Sequence, residues 1–176
     1  VQRVLPGPSI VTGARFLGDR VVATSADGTL WVWSAQPRVL RSSGSSIYQL
    51  MTDAKGSAWL SATDSGANKV LLWSLKDGVA PMPSVAMPTG TRVTSGSFVT
   101  ADGPFLYAGT RNGEVVRWSL TDAGASDPTV QQVLPPGSYV ASIATDPSGT
   151  LLATAQYTGE STTLNRIGPD GALTPL

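Results

Sequence analysis

The chain has 176 residues, enough for one domain with a sizeable core, and 41% of them are apolar. Only 14% are charged and the net charge is zero, so there is no basic footprint for nucleic acid; no apolar run approaches the roughly 20 residues of a membrane span. Cys and His are both absent, which excludes disulfides, Cys/His zinc sites, Cys nucleophiles and His-dependent triads.

In chain order, the turn punctuation and β-rich runs predict short strands throughout. Val1 to Leu5 is a strand broken by Pro-Gly-Pro; Ser9 to Phe16, Arg20 to Ser25 and Thr29 to Ser34 follow, the last two joined by an Asp27-Gly28 hairpin turn. The next set is Arg38 to Leu40, Ile47 to Thr52, Ala58 to Thr63 and Lys69 to Leu75. The third is Ser84 to Met87, Arg92 to Phe98, Phe105 to Thr110 and Glu114 to Leu120, with Asn112-Gly113 before its last strand. The fourth is Thr129 to Leu134, Tyr139 to Thr145, Leu151 to Gln156 and Ser161 to Ile167. No helix-period pattern is sustained.

These sets are copies of one unit. LWVWSA, VLLWSL and VVRWSL close the first three, and Trp33, Trp73, Trp118 and Asn165 are spaced by 40, 45 and 47 residues. A repeat of about 40–45 residues built only from short strands is the signature of a β-propeller. The units run over about residues 1–35, 36–76, 77–121 and 122–176 of a single domain or part-domain. VQRVLPGPSIVT at the start matches VQQVLPPGSYVA at Val130 to Ala141, so the first strand of each unit is the outer strand of the preceding blade.

The units resemble WD40 repeats. The resemblance rests on the turn Asp146-Pro-Ser-Gly, the small-residue strands Ala23-Thr24-Ser25 and Ala153-Thr154-Ala155, the turns Asp27-Gly28 and Asn112-Gly113, and the Trp residues. Trp-Ser replaces the family's Trp-Asp in all three clear copies, and the Gly-His pair is missing because the chain has no His. The hydrogen-bond chain that staples WD40 blades is therefore incomplete, and apolar packing between sheets must hold these blades.

Trp33, Trp73 and Trp118 recur at one position among apolar neighbours, which predicts core packing between blades. Asp19, Asp27, Asp53, Asp102 and Asp146 fall in tight turns, where Asp bonds its own backbone. Nothing singles out a carboxylate pair, an EF-hand, a phosphate loop or a nucleophile with a base, so no catalytic residue, metal site or cofactor is expected. Propeller topology opens two sets of loops on one face, and Tyr48, Arg92, Arg111, Asn112, Tyr139 and Tyr157 fall there as a candidate partner-binding surface.

The expected function is a non-catalytic platform for a protein or peptide, which the resemblance places in a larger, cytoplasmic bacterial regulatory protein. The alternative is a propeller enzyme, or a small-ligand or carbohydrate-binding protein with its site at the channel mouth. Nucleic-acid binding and membrane insertion are not expected. Four blades suggest a piece of a larger ring or two copies closing an eight-bladed one. Pro175 makes Ala172 to Leu176 a poor outer strand, so Val1 to Leu5 is expected to pair with Thr162 to Ile167.

Overall fold

The structure is a computed structural model that describes residues 9–33, 38–41, 45–52, 59–64, 66–74, 80–81, 84–88, 90–99, 105–121, 124–157, 159 and 162–176. Every described regular element is a strand, and the strands form four antiparallel sheets in chain order. The first sheet is β1 (Val11–Leu17), β2 (Arg20–Ser25), β3 (Thr29–Trp33) and β4 (Arg38–Arg41). In the second, β5 (Ile47–Thr52), β6 (Trp59–Asp64) and β7 (Lys69–Ser74) are followed by β8 (Ala80–Pro81) and β9 (Val85–Ala86), both on β7. In the third, β10 (Val93–Val99), β11 (Phe105–Thr110) and β12 (Glu114–Thr121) carry β13 (Gly124–Ala125) and β14 (Thr129–Gln132) on β12. The fourth is β15 (Val140–Thr145), β16 (Leu151–Gln156), β17 (Thr162–Ile167) and β18 (Leu173–Pro175). This is the all-β architecture of propeller blades. The opening strands β4 and β14 sit on the outside of the preceding sheets, as the internal match predicts.

The inner strands β1, β5, β10 and β15 pack side by side. Each carries a register irregularity near its start, at Thr12, Gln49–Leu50, Thr94 and Ala141. A bulge there bends the strand and turns one side chain toward the next sheet. Two of the bulged residues are Thr, and both hydroxyls donate to equivalent carbonyls one sheet on: Thr12 to Ile47 and Thr94 to Val140. In the first three sheets the last residue of the second strand caps the turn that follows. Ser25 donates to Asp27, whose carboxylate accepts the Thr29 N–H at 3.1 Å; Thr110 Oγ1 accepts the Asn112 and Glu114 N–H groups.

Three apolar clusters fill the gaps between sheets. Leu17, Val22, Leu30 and Val32 meet Ile47, Leu50, Ala62, Leu71 and Trp73; Val70, Leu72 and Met87 meet Leu106, Ala108, Val116 and Trp118; Phe105, Tyr107 and Val115 meet Val140, Ile143, Leu152 and Leu173. Trp73 and Trp118 are 1% and 0% exposed, each on the face that the preceding sheet covers. Among the described residues Trp118 Nε1 has no hydrogen-bond partner, so its burial there is apolar packing and not a polar staple.

Trp33 does not share that burial. It is half-buried and stacks on Trp31, ring centroids 5.6 Å apart. The ladder places Trp33 opposite Val21, as Trp73 lies opposite Leu60 and Trp118 opposite Leu106. The three positions are thus equivalent, but among the described residues no sheet precedes the first one. Phe16, on the same sheet, is 82% exposed.

The outer edge of the fourth sheet also departs from the sequence expectation. Residues Val1 to Leu5 lie outside the described residues, and β18 itself occupies the outer position on β17. Pro175 is tolerated because the Leu176 N–H donates to Leu164 O, which puts Pro175, opposite Asn165, at the alternate site where no ladder donor is required.

Truncating Trp73 to Ala should cost ~3–5 kcal/mol through lost transfer energy and a cavity. Trp33→Ala should cost no more than about 2 kcal/mol, because less surface is buried. Urea unfolding of the two variants checks this; equal midpoints would mean that coverage by the preceding sheet does not set the role of this position.

Candidate functional site

The turns leaving β2, β6, β11 and β16 and the connections entering β5, β10 and β15 open on one face. The third and fourth sheets bring most of the candidate residues together there. Gly113, at φ +78°, closes the β11–β12 turn, and a Cβ there would lie 2.6 Å from Pro135 O. Only glycine allows the turn to sit this tightly on the β14–β15 connection. Gly113 O accepts the Val133 and Leu134 N–H groups, and Gln132 donates to Asn112 O at 2.9 Å. The Arg111 N–H donates to Arg92 O at 3.2 Å, tying this turn to the entry of β10.

Arg111 is thereby aimed at the fourth sheet. Its guanidinium carbon lies 5.6 Å from the centre of the Tyr139 ring. Tyr139 and Tyr157 contact each other with centroids 5.3 Å apart at 51°, and the Tyr157 N–H donates to Tyr139 O at 2.9 Å. Arg92, Arg111 and Asn112 are exposed, Tyr139 is half-buried and Tyr157 is 72% exposed. The result is a cationic, aromatic surface that can take an anion on the guanidinium groups and an apolar ring or sugar face on the tyrosines.

Tyr48 lies apart, on inner strand β5 of the second sheet. The neighbouring junction is organised by Asn68, which sequence reasoning did not single out as a structural residue. At φ +54° it donates to Thr91 O at 2.7 Å and accepts the Val93 N–H at 2.9 Å. Asp64 was also missed. It is a buried carboxylate whose Oδ1 accepts the Ala67 N–H at 2.9 Å and the Ser45 hydroxyl. Its signal was positional: Asp64 stands where Ser25 and Thr110 stand in the other repeats.

Asp27 and Asp146 bond the backbone of their own turns, as their sequence context predicts, and Asp53 and Asp102 lie outside the described residues. Asp19 is 3.9 Å from Arg20. The Ser25 hydroxyl, and then Thr29, hold Asp27 below the usual carboxylate range. The Ser148 hydroxyl, with the Leu151 amide next, holds Asp146 down at about 2. Among the described residues no three His, Cys, Asp or Glu side chains converge as metal ligands would. A cavity of about 160 Å³ lies elsewhere, between the third and fourth sheets near β18.

The Asp146 shift carries a sign. Its folded value lies below the ordinary one, so its stabilising effect is complete above about pH 4 and is lost as the pH falls toward 2. Asp146→Asn should therefore lower the melting temperature at pH 7 and lose that difference by pH 2. A gap between variant and parent that is unchanged at pH 2 would show that the charge is not what matters.

Comparison with known proteins identifies the propeller type. The sequence model of the family described as "Lactonase, 7-bladed beta-propeller" matches residues 84–176. A search of curated proteins finds no match. Among solved structures, the computationally designed Ika4 protein is 17% identical with a TM-score of 0.71, over 94% of this chain and 96% of that one. A Bacteroides fragilis NCTC 9343 protein described as a "putative 6-phosphogluconolactonase" is 16% identical with a TM-score of 0.74, over 94% of this chain. This chain spans about half (53%) of that protein's length. At these identities the two structures speak to fold alone. The family match overturns two expectations, the non-catalytic scaffold and the non-enzyme, and points instead to the enzyme-type propeller that stood as the alternative. The WD40-like features describe blade punctuation, and the matched family is another. Since the match covers more than half of its residues, the chain belongs to the seven-bladed lactonase β-propeller family.

Proposed function

We propose that the protein hydrolyses the ring ester of an anionic, sugar-derived lactone bound on the turn face at Arg92, Arg111, Tyr139 and Tyr157. The observation that carries this reading is the Arg111–Tyr139–Tyr157 contact, built entirely from the residues that match the lactonase family. The family and the Bacteroides neighbour supply the reaction class; the side chains supply the ligand chemistry.

Lactone hydrolysis adds water to the acyl carbon and breaks its bond to the ring oxygen. The tetrahedral intermediate carries an oxyanion, and the product carries a new carboxylate. A guanidinium fixed over an aromatic ring suits both, because it is preorganised and has donors directed outward. Tyr139 and Tyr157 offer flat faces to the C–H surface of a sugar ring. We read the WD40-like turns as the shared means by which small polar residues hold such loops in place.

The test is a pH-stat assay of acid release from 6-phosphogluconolactone and from uncharged gluconolactone, each corrected for spontaneous opening. The phosphorylated lactone should be opened faster. Arg111→Ala should lower kcat/KM for it by about 10–100-fold, or roughly 1.4–2.7 kcal/mol, with partial recovery in Arg111→Lys. If the parent protein leaves both lactones at their spontaneous rates, the proposal fails.

A further inference from the structure

The junction between the third and fourth sheets is built differently from the other two. At the middle of the central strand pair the first sheet carries Val22 opposite Val32, and the second carries Ser61 opposite Leu72. The third carries Tyr107 opposite Arg117. These larger polar side chains reach across the junction to one stretch of backbone, residues 170–173, the end of the β17–β18 turn and the start of β18. Tyr107 Oη donates to Gly171 O at 2.7 Å, and Arg117 Nη1 donates to Asp170 O. From β14, Gln131 Nε2 donates to Leu173 O and its Oε1 accepts the Leu173 N–H at 3.0 Å.

Four hydrogen bonds from side chains of one sheet thus read the backbone of the next. The fit depends on Gly171: at φ +79°, a Cβ there would lie 2.9 Å from Arg117 Cδ and 3.0 Å from Tyr107 Oη. Arg117 is held from two further sides, by the Thr129 hydroxyl at 3.2 Å and by the Phe105 ring at 5.6 Å. Burial pushes the Tyr107 hydroxyl up to about 12, so it remains a donor throughout the neutral range. The cavity near β18 lies among these groups, and this outer end of the junction adds polar, directional contacts to an apolar cluster like those of the other two.

The same junction carries the candidate site at its other end. Strands of about six residues separate the two ends, or roughly 20 Å. A tilt of a few degrees between the sheets at the 170–173 end would shift Tyr139 and Tyr157 by roughly 1–2 Å against Arg111, and a displacement of 1 Å can change a rate by about 100-fold.

We propose that Tyr107, Arg117 and Gln131 form a latch that sets the angle between the third and fourth sheets, and that they are positioning residues for the Arg111–Tyr139–Tyr157 cluster. The kinetic part of this inference rests on the lactonase reading; the geometric part does not.

The test uses protein labelled with 3-fluorotyrosine. The chain has four Tyr, and Tyr48 on the second sheet is an internal control. In Tyr107→Phe, which removes only the hydroxyl, the ¹⁹F signals of Tyr139 and Tyr157 should shift or split while that of Tyr48 stays. Gln131→Ala, at a half-buried position, should move the same two signals and decides the matter if the first variant does not fold. With 6-phosphogluconolactone, both variants should lower kcat/KM by about tenfold, chiefly through kcat. Tyr139 and Tyr157 signals that coincide with the parent's in the folded variants would overturn the latch. Signals that move in a protein without lactone hydrolysis would keep the latch and discard the lactonase reading.

Discussion

The whole structure depends on one requirement: a four-stranded sheet rich in Val, Leu and Trp has two faces and must cover both. Each internal sheet does so by meeting a neighbour on either side, and the three apolar clusters are those meetings. Their weight exceeds that of the polar links. A buried Trp is worth several kcal/mol when truncated, whereas a net hydrogen bond contributes about 1 kcal/mol. The Thr12 and Thr94 hydroxyls therefore do not hold the sheets together so much as fix how they slide. Each engages the carbonyl of the equivalent residue one sheet on, which pins the inner strands in register. The contrast between Trp73 and Trp33 follows from the same requirement, since the two residues differ in coverage and not in type or position.

The candidate site follows from that stacking. Because all four inner strands begin at one face, the connections that enter them and the turns that leave the second strands gather there. What each turn presents then depends on local chemistry. Gly113 lets the β11–β12 turn press against the β14–β15 connection, and this approach, not the sheet, brings Arg111 to Tyr139. Arg111 is exposed and lies over the Tyr139 ring, in contrast to Arg117, whose guanidinium donates to Thr129 and Asp170. Two arginines six residues apart thus serve opposite ends of one junction, and only their surroundings tell them apart.

Much of the fold was legible because strand physics is local. Alternating apolar residues and Asp-Gly or Asn-Gly turns mark β2–β3 and β11–β12 directly, and the match of VQRVL to VQQVL gave the phase by which an opening strand completes the preceding sheet. The errors arose where the answer is not local. Nothing near Trp33 says that the neighbour that would cover it is absent from the described residues. Pro175 reads as a strand breaker until its place in the hydrogen-bond alternation is known. Tyr48 looked equivalent to Tyr139 because both lie beside the turn that enters an inner strand, yet among the described residues it is Tyr139 that has a second Tyr and an Arg beside it. The reaction class was the least legible of all. A propeller site is assembled from turns tens of residues apart, with no fixed spacing, and a chain without His or Cys lacks the residue types that announce hydrolysis. Absence of those signals was read as absence of chemistry, and the family match overturned it.

The third junction shows why a protein would place polar groups where its other blades use apolar ones. Dispersion contacts between Val, Leu and Trp are strong in sum but nearly indifferent to a small rotation of one sheet on the other. Hydrogen bonds are not, since they weaken steeply when the donor angle closes. A sheet held only by apolar contact can rock about its inner strand; one whose outer turn is also bonded through Tyr107, Arg117 and Gln131 is fixed at two radii. For a blade that only fills the ring, such rocking costs little. For the blade that carries Tyr139 and Tyr157, it would blur the surface proposed to bind the lactone. The Tyr107, Arg117 and Gln131 bonds therefore fall on the junction where the proposed site would need angular precision most.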